Sequence, residues 1–321
     1  MPGSANSAAE ALGGEGSARG ASHGARRDAS RRLDLVEVLT AEQVVARLAE
    51  AHRDPAVLSR GAALAFDGDG TLWRGDVGDD FFHTLVAIGR FLPPAVEAMR
   101  AVGLAAGVAG MDPGPDAGVA IARRLFEAYV DQRLAEELIC EVAAWICAGW
   151  REDDVSQVAR EVVLRGGLAS RRYVEVGVVL DWARSSGVPA FVVSASPRPV
   201  VEAAAACLGF DGEHVLAVTP CFDQGVMLPD VARPIPYGPG KLALLRERTG
   251  GRVLLGAFGD NVFDLPMLQA ARLAVLVEPK RRLTDHLCAL GERGAGFASP
   301  PVCLRVASRP VTGDGGVPST S

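Results

Sequence analysis

Leu64-Ala65-Phe66-Asp67-Gly68-Asp69-Gly70-Thr71-Leu72-Trp73 is the stretch on which the reading of the fold turns. Its apolar opening has the character of a buried strand, cut short by an aspartate. A second aspartate follows two residues on, and Gly68 and Gly70 leave the backbone open to close approach. In an open parallel sheet, ligands sit beyond the carboxyl ends of the strands, so both acids are expected at that crevice. Two carboxylates this close repel each other unless a cation or a shared proton offsets them. The same residues also read as a solvated turn, the commoner meaning of Asp-Gly-Asp-Gly. A calcium loop is a third reading, but it needs glycine at its sixth position and glutamate at its twelfth. Leu72 and Gly78 stand there, and a strand rather than a helix comes before.

Upstream, Leu33 to about Arg60 carries a helical pattern through Val36, Val38, Leu39, Val44, Val45 and Leu48, with Thr40 a candidate N-cap. Downstream, no strand pattern occurs between Arg74 and Ser170. Helices are expected over Phe81–Phe91, Ala95–Val108, Gly118–Leu134, Glu136–Trp150 and Val155–Leu164. They are separated by Pro93-Pro94, Asp112-Pro113-Gly114-Pro115 and Gly166-Gly167. Strand and helix then alternate: helix Tyr173–Ser186, strand Ala190–Ser194, helix Val200–Leu208, and short strands Val215–Val218 and Gly225–Leu228 that suggest a hairpin. Helix Lys241–Arg248, strand Val253–Gly259, helix Leu265–Ala271 and strand Leu273–Val277 complete the series. Such alternation around buried strands predicts an α/β fold with a doubly wound parallel sheet.

Three later segments carry further chemistry. Phe191-Val192-Val193-Ser194-Ala195-Ser196-Pro197 is an apolar strand ending in hydroxyl residues, with Pro197 and Pro199 suited to a helix start. Free N–H groups and a positive dipole end would meet an anion there. A capping Ser196 without a ligand explains Ser196 and leaves Ser194 unexplained. Pro239-Gly240-Lys241 puts a lysine in the first turn of a helix, the end where the dipole disfavours cations. Leu254 to Asp264 is a second strand ending in carboxylates, Asp260 at its tip and Asp264 one helical turn on, where it also serves as a helix-capping acid. A few carboxylates completed by water and phosphate oxygens suit Mg²⁺.

Asp67-Gly68-Asp69-Gly70-Thr71, Ser194, Lys241 and Gly259-Asp260-Asn261-Val262-Phe263-Asp264, in that order, together resemble the haloacid dehalogenase superfamily of phosphohydrolases. The helical insertion is similar to the C1-type cap of its phosphoserine phosphatase-like subgroup, as are Phe191–Pro197 and Leu265-Pro266-Met267-Leu268. The resemblance implies a Rossmann-like core over 32–74 and 170–304, with a helical cap over 75–169. It implies Asp67 as nucleophile and Asp69 as acid and base. Mg²⁺ would be held by Asp67, Asp260 and the Asp69 carbonyl, with Asp264 ordering a metal-bound water or Lys241. Ser194 and Lys241 would bind the phosphoryl group, helped by backbone at Gly68 and Ala195, with Thr71 and Asn261 in support. Gly68 departs from the bulkier residue usual in the family and implies looser packing under the loop. Near the cap entrance, Trp73 and Asp76 are specificity candidates, with Asp76 equally a solvated hinge residue. Arg123, Arg124 and Arg133 are candidates for a substrate-binding arginine. Trp73, Phe81, Phe82, Trp145 and Trp150 form an alternative aromatic pocket for a phosphocholine-like ammonium, although aromatics on helices are more often core.

Composition narrows the classes. The chain has 321 residues, 49% hydrophobic, with net charge −6 and no basic stripe that would suggest a nucleic-acid partner. The six cysteines are scattered without metal spacing and the five histidines do not cluster, so free thiols in a reducing cytoplasm are expected and a zinc site is not. Residues 1–31 are Gly/Ala/Ser/Arg-rich without an apolar core for a signal peptide, and are expected to be a disordered tail, as are 305–321. Ala101–Met111 is too short to span a bilayer, so a soluble protein without a membrane partner is expected. The functional expectation is a Mg²⁺-dependent phosphomonoesterase acting on a small polar metabolite. A phosphotransferase or mutase of the same fold is the alternative. A non-catalytic phosphate-binding regulator would have lost the nucleophile or a metal acid, and both are present.

Overall fold

The computed structural model describes residues 36–111, 117–290 and 296–307. The N-terminal tail expectation, the Asp112–Pro115 break and all but the start of the C-terminal tail lie outside these residues. In chain order the elements are β1 (Glu37–Leu39), α1 (Ala41–His52), α2 (Pro55–Arg60), β2 (Ala62–Phe66), α3 (Val77–Ile88), α4 (Pro93–Ala105), α5 (Ala117–Val130), α6 (Glu136–Trp145), α7 (Glu152–Arg165) and α8 (Leu168–Arg171). Then follow α9 (Val174–Ser185), β3 (Ala190–Pro197), α10 (Arg198–Ala206), β4 (Val215–Val218), β5 (Pro220–Asp223), β6 (Val226–Val231), α11 (Pro239–Thr249), β7 (Val253–Gly259), α12 (Leu265–Ala270), β8 (Leu273–Val277), α13 (Arg281–Leu290) and β9 (Val302–Leu304).

Seven strands form one parallel sheet in the order β1-β9-β8-β7-β2-β3-β4. Every residue of β2 and of β8 is buried, as expected of parallel strands covered on both faces. Alternate residues of β2 feed the two sides: Leu64 and Phe66 join the larger apolar cluster, Ala63 and Ala65 the one under α11 and α12. Phe66 stacks on Phe258 of β7 with ring centroids 4.4 Å apart, which ties the two central strands together. From β2 the chain proceeds to β3 and β4 on one side, then crosses to β7, β8 and β9 on the other. A reversal of this kind opens a crevice at the carboxyl ends of β7, β2 and β3.

Several expectations are corrected. Glu37–Leu39 is a strand pairing with β9, not helix; the helix begins after Thr40, whose hydroxyl caps Gln43 N while the Gln43 side chain returns the bond. Val215–Val218 and Gly225–Leu228 do not form a hairpin with each other. The first is an edge strand of the main sheet, and the hairpin is β5 with β6. Neither α13 nor β9 is foreseen in the sequence.

Between β2 and β3 the described residues form helices only, apart from isolated bridges. The two chain passages that join this helical layer to the sheet run side by side. Arg74 N donates to Arg171 O (2.9 Å), Tyr173 N to Leu72 O (3.3 Å), and the Arg171 guanidinium to Arg74 O (2.7 Å). The β5–β6 hairpin bonds to this layer rather than to the main sheet: Gly149 N to Met227 O (2.8 Å), Met227 N to Trp150 O (2.9 Å) and Glu152 N to Gly225 O (3.0 Å). No helix among the described residues is long and apolar enough to cross a membrane.

Candidate active site

Strand ends supply the site. Asp67 follows β2 directly, with its N–H donating to Phe258 O of β7 at 2.9 Å. Ser194 lies in β3, and Asp260 follows β7. Behind Asp67 the chain folds tightly: Gly68 O accepts from Leu72 N (2.8 Å) and Gly70 N donates to Trp73 O (2.8 Å). Gly70 has φ +82°, and a Cβ there would meet Asp260 Oδ2 at 2.1 Å. Glycine is therefore required at 70 for conformation and for space.

A buried ionic cluster sits at the centre. The Lys241 Nζ donates to Asp67 Oδ1 and to Asp264 Oδ1, both at 2.6 Å, and all three side chains are buried. This accounts for a lysine at a helix start: its two carboxylates outweigh the dipole. Burial works against the Lys241 charge, but Asp264 and Asp67 together raise its pKa above the usual value. Asp67 is pushed up first by burial and next by the Asp264 charge, with Lys241 opposing. The other Asp264 oxygen accepts from Asp260 N (3.1 Å) and Asn261 N (2.9 Å), so Asp264 fixes the turn that carries Asp260.

Carboxylate oxygens of Asp67, Asp260 and Asp264 lie within 4.8 Å of one another. Among the described residues, Asp260 Oδ1 is buried without a hydrogen-bond partner, as is Thr71 Oγ1. An orphaned buried carboxylate oxygen beside two further acids is the donor set a hard divalent cation takes. Those residues fit Mg²⁺.

Asp69 is organised differently. Its Oδ1 accepts from Trp73 Nε1 and Val77 N, and its Oδ2 from Ser196 Oγ, each at 2.7 Å. Burial first, and the Asp76 charge second, push its carboxyl up to about 7. Ser194 Oγ accepts from Ser196 N at 3.1 Å.

One cavity is lined by Asp67, Asp69, Ser194, Ala195, Lys241, Asp260, Asn261 and Asp264, and it extends toward the helical layer past Asp76, Asp79 and Glu136. Other expected residues stand elsewhere. Trp73 is fully buried and does not line the cavity; its Cζ2 would lie 3.0 Å from a Cβ on Gly68, so the indole fills the space that Gly68 leaves open. Arg124 lies against Gly110, Arg133 pairs with Asp131, and Arg123 is exposed; none of the three lines the cavity. Phe81, Trp145 and Trp150 are core; of the five expected aromatics only Phe82 reaches the cavity, where Phe126, Tyr129, Tyr237 and Phe263 join it. Asp76 lines the cavity and also caps α3 through Asp79 N (2.9 Å). The expected capping role of Ser196 is corrected: the helix starts after Pro197 without a side-chain cap, and the Ser196 hydroxyl donates to Asp69 instead; Lys280 and Glu136 were missed. A signal for the Ser196 role was present, since residues two apart in a strand share a face and Ser196 stands two residues from Ser194.

A family model described as haloacid dehalogenase-like hydrolase matches residues 64–269. The chain belongs to the haloacid dehalogenase-like hydrolases. A probable phosphatase of Mycobacterium tuberculosis (strain H37Rv) is 30% identical over 164 residues, which cover 50% of this chain and 55% of that protein. The chain thus matches about half the length of its curated relatives. Two solved structures are similar to this fold. A conserved functionally unknown protein from Anaerococcus prevotii has TM-score 0.57 and 14% identity, over 82% of this chain and 92% of the other. A protein of unknown function from Bordetella pertussis Tohama I has TM-score 0.53 and 19% identity, over 76% and 98%.

Proposed function

We propose that this protein is a Mg²⁺-dependent phosphomonoester hydrolase working through an aspartyl-phosphate on Asp67. The observation that carries this reading is the convergence of Asp67, Asp260 and Asp264 oxygens within 4.8 Å, beside Lys241 and Ser194. Phosphoryl transfer depends on positioning and charge neutralisation, and that group of residues supplies both. Asp67 and Asp260, with the Asp69 carbonyl, would hold the ion, and Asp264 would act through Lys241 or a bound water. When bound, Mg²⁺ supplies charge neutralisation for the phosphoryl oxygens and keeps Asp67 ionised.

The protein residues then divide the work. An Asp67 oxygen attacks phosphorus, forming the Asp67–phosphoryl bond as the bond to the leaving oxygen breaks. Asp69 gives its proton to that oxygen, then accepts one from the water that hydrolyses the intermediate. A carboxyl pushed up to about 7 suits both roles. Ser196, Trp73 and the Val77 N–H hold Asp69 in orientation. Lys241 and Ser194 steady the transferring group.

The helical layer over 75–169 is read as the cap that closes the crevice from water. The substrate is a small polar phosphomonoester, phosphoserine among the first to be tried, and Asp76 is its best-situated specificity residue. Cys147 and Cys303 are buried free thiols, which fit a reducing cytoplasm. A phosphomonoester panel assayed with Mg²⁺ and with a chelator, beside Asp67→Asn, tests the proposal. Hydrolysis is expected only with metal and to fall by at least about a thousandfold in the variant. Wild-type turnover by Asp67→Asn rejects the nucleophile.

A further inference from the structure

Lys241 is not the only ammonium at the site. Lys280 Nζ stands 3.0 Å from Asp260 Oδ2, the carboxylate whose other oxygen is the buried orphan. Lys280 N also donates to Asp260 O at 2.7 Å, so the residue is pinned to Asp260 by backbone as well as side chain. The chain reaches this position through Glu278, which has φ +40° although it is not glycine. Such a conformation persists only where the surroundings enforce it. Here the Tyr173 hydroxyl donates to Glu278 Oε2 at 2.5 Å, and α13 begins at Arg281 immediately after.

The two lysines differ in one respect. Lys241 is enclosed between Asp67 and Asp264 with 4% of its side chain exposed, whereas Lys280 is 54% exposed and lines the cavity. Asp76, Asp79, Glu136 and Asp67 all lie within its electrostatic reach. Its ammonium can therefore leave Asp260 and still face other acids across the cavity.

We propose that Lys280 is a tethered counter-cation that competes with the divalent ion for Asp260, and so sets how tightly the metal site loads. The proposal rests on the Mg²⁺ reading above and concerns affinity rather than turnover. In the metal-free chain the ammonium offsets charge on Asp260. A divalent ion held by Asp67, Asp260 and the Asp69 carbonyl would put a like charge close to the Lys280 ammonium, which would then move into the cavity. A site without Lys280 has no such competitor.

The test is Mg²⁺ titration of the metal-free full-length protein by calorimetry, without substrate, for wild type, Lys280→Met and Lys280→Arg. Lys280→Met keeps most of the stem and is expected to bind Mg²⁺ about tenfold more tightly than wild type. Lys280→Arg retains the charge and is expected within about threefold of wild type. Lys280→Met is also expected to lower the melting temperature of the metal-free chain, while gaining more from saturating Mg²⁺. General damage to the site would loosen metal binding, so tightening is the distinguishing sign. Equal or weaker binding by a folded Lys280→Met protein overturns the proposal alone. Absence of Mg²⁺ binding in all three chains overturns it together with the metal clause of the proposed function.

Discussion

Gly68 and Gly70 look alike in sequence and differ in what surrounds them. A Cβ at 70 would strike Asp260 Oδ2 at 2.1 Å and would sit on a backbone with φ +82°. A Cβ at 68 would press Trp73 Cζ2 at 3.0 Å and touch Ser194 at 3.4 Å. Gly70→Ala is therefore expected to lower Mg²⁺-dependent turnover by at least about tenfold and to destabilise the fold by about 1–3 kcal/mol. Gly68→Ala is expected to keep most activity; steady-state rates and melting curves of the pair check the contrast. Asp264→Ala removes one of two anions holding a buried ammonium and frees two backbone N–H groups. A loss of roughly 3–5 kcal/mol in denaturant unfolding is expected, and a loss below 1 kcal/mol would show that Lys241 finds another partner. Strand-tip residues such as Asp67 and Asp260 were legible because two apolar runs each stop at an acid, and a parallel sheet brings such strand ends to one crevice. Trp73 was not, because nothing in a one-dimensional pattern says that its indole folds back under Gly68 to reach Asp69.

The paired passages that carry the chain into and out of the helical layer act as one element. Arg171 fastens them, donating to Arg74 O and to Asp80 (2.5 Å), while the Arg74 guanidinium lies 4.3 Å from the Tyr173 ring centroid. Arg171→Ala is expected to cost about 1–2 kcal/mol in unfolding free energy. It should also reduce kcat/KM several-fold by letting the layer sit less squarely over the crevice. Equal kinetics with lowered stability would confine the residue to a structural part. Longer elements were the legible ones: β7 and β8 begin and end where their apolar runs do, and α5, α7 and α9 fall within a few residues of their expected spans. The three-residue strands β1 and β9 were not, since each exists through pairing with distant partners. Lys280 was overlooked for a similar reason, as its position depends on the left-handed turn at Glu278.

Across the whole molecule, acids are concentrated at the carboxyl edge of the sheet. Burial foremost pushes Asp69 to about 7, and Asp76 and Asp260 to about 6. These folded values lie above those of an unfolded chain, so the native state holds protons that the unfolded state has released. Stability of the metal-free protein should therefore fall as pH rises from about 5 to 8. Melting in chelator at pH 5.5 and 8 checks the sign, and saturating Mg²⁺ should restore most of the loss at pH 8. A chelated protein with equal or higher melting temperature at pH 8 would refute this. The β5–β6 hairpin bears on a different question. Met227 and Gly225 complete the hydrogen bonding of Gly149, Trp150 and Glu152, although some seventy residues of chain separate the two groups. A chimera that exchanges only 75–169 with a relative would have to form these main-chain bonds again between a segment and a hairpin from different chains. On the proposed reading of the helical layer as a cap, transplanting selectivity is expected to take two discontinuous pieces, 75–169 and 220–231, moved as a single inheritance.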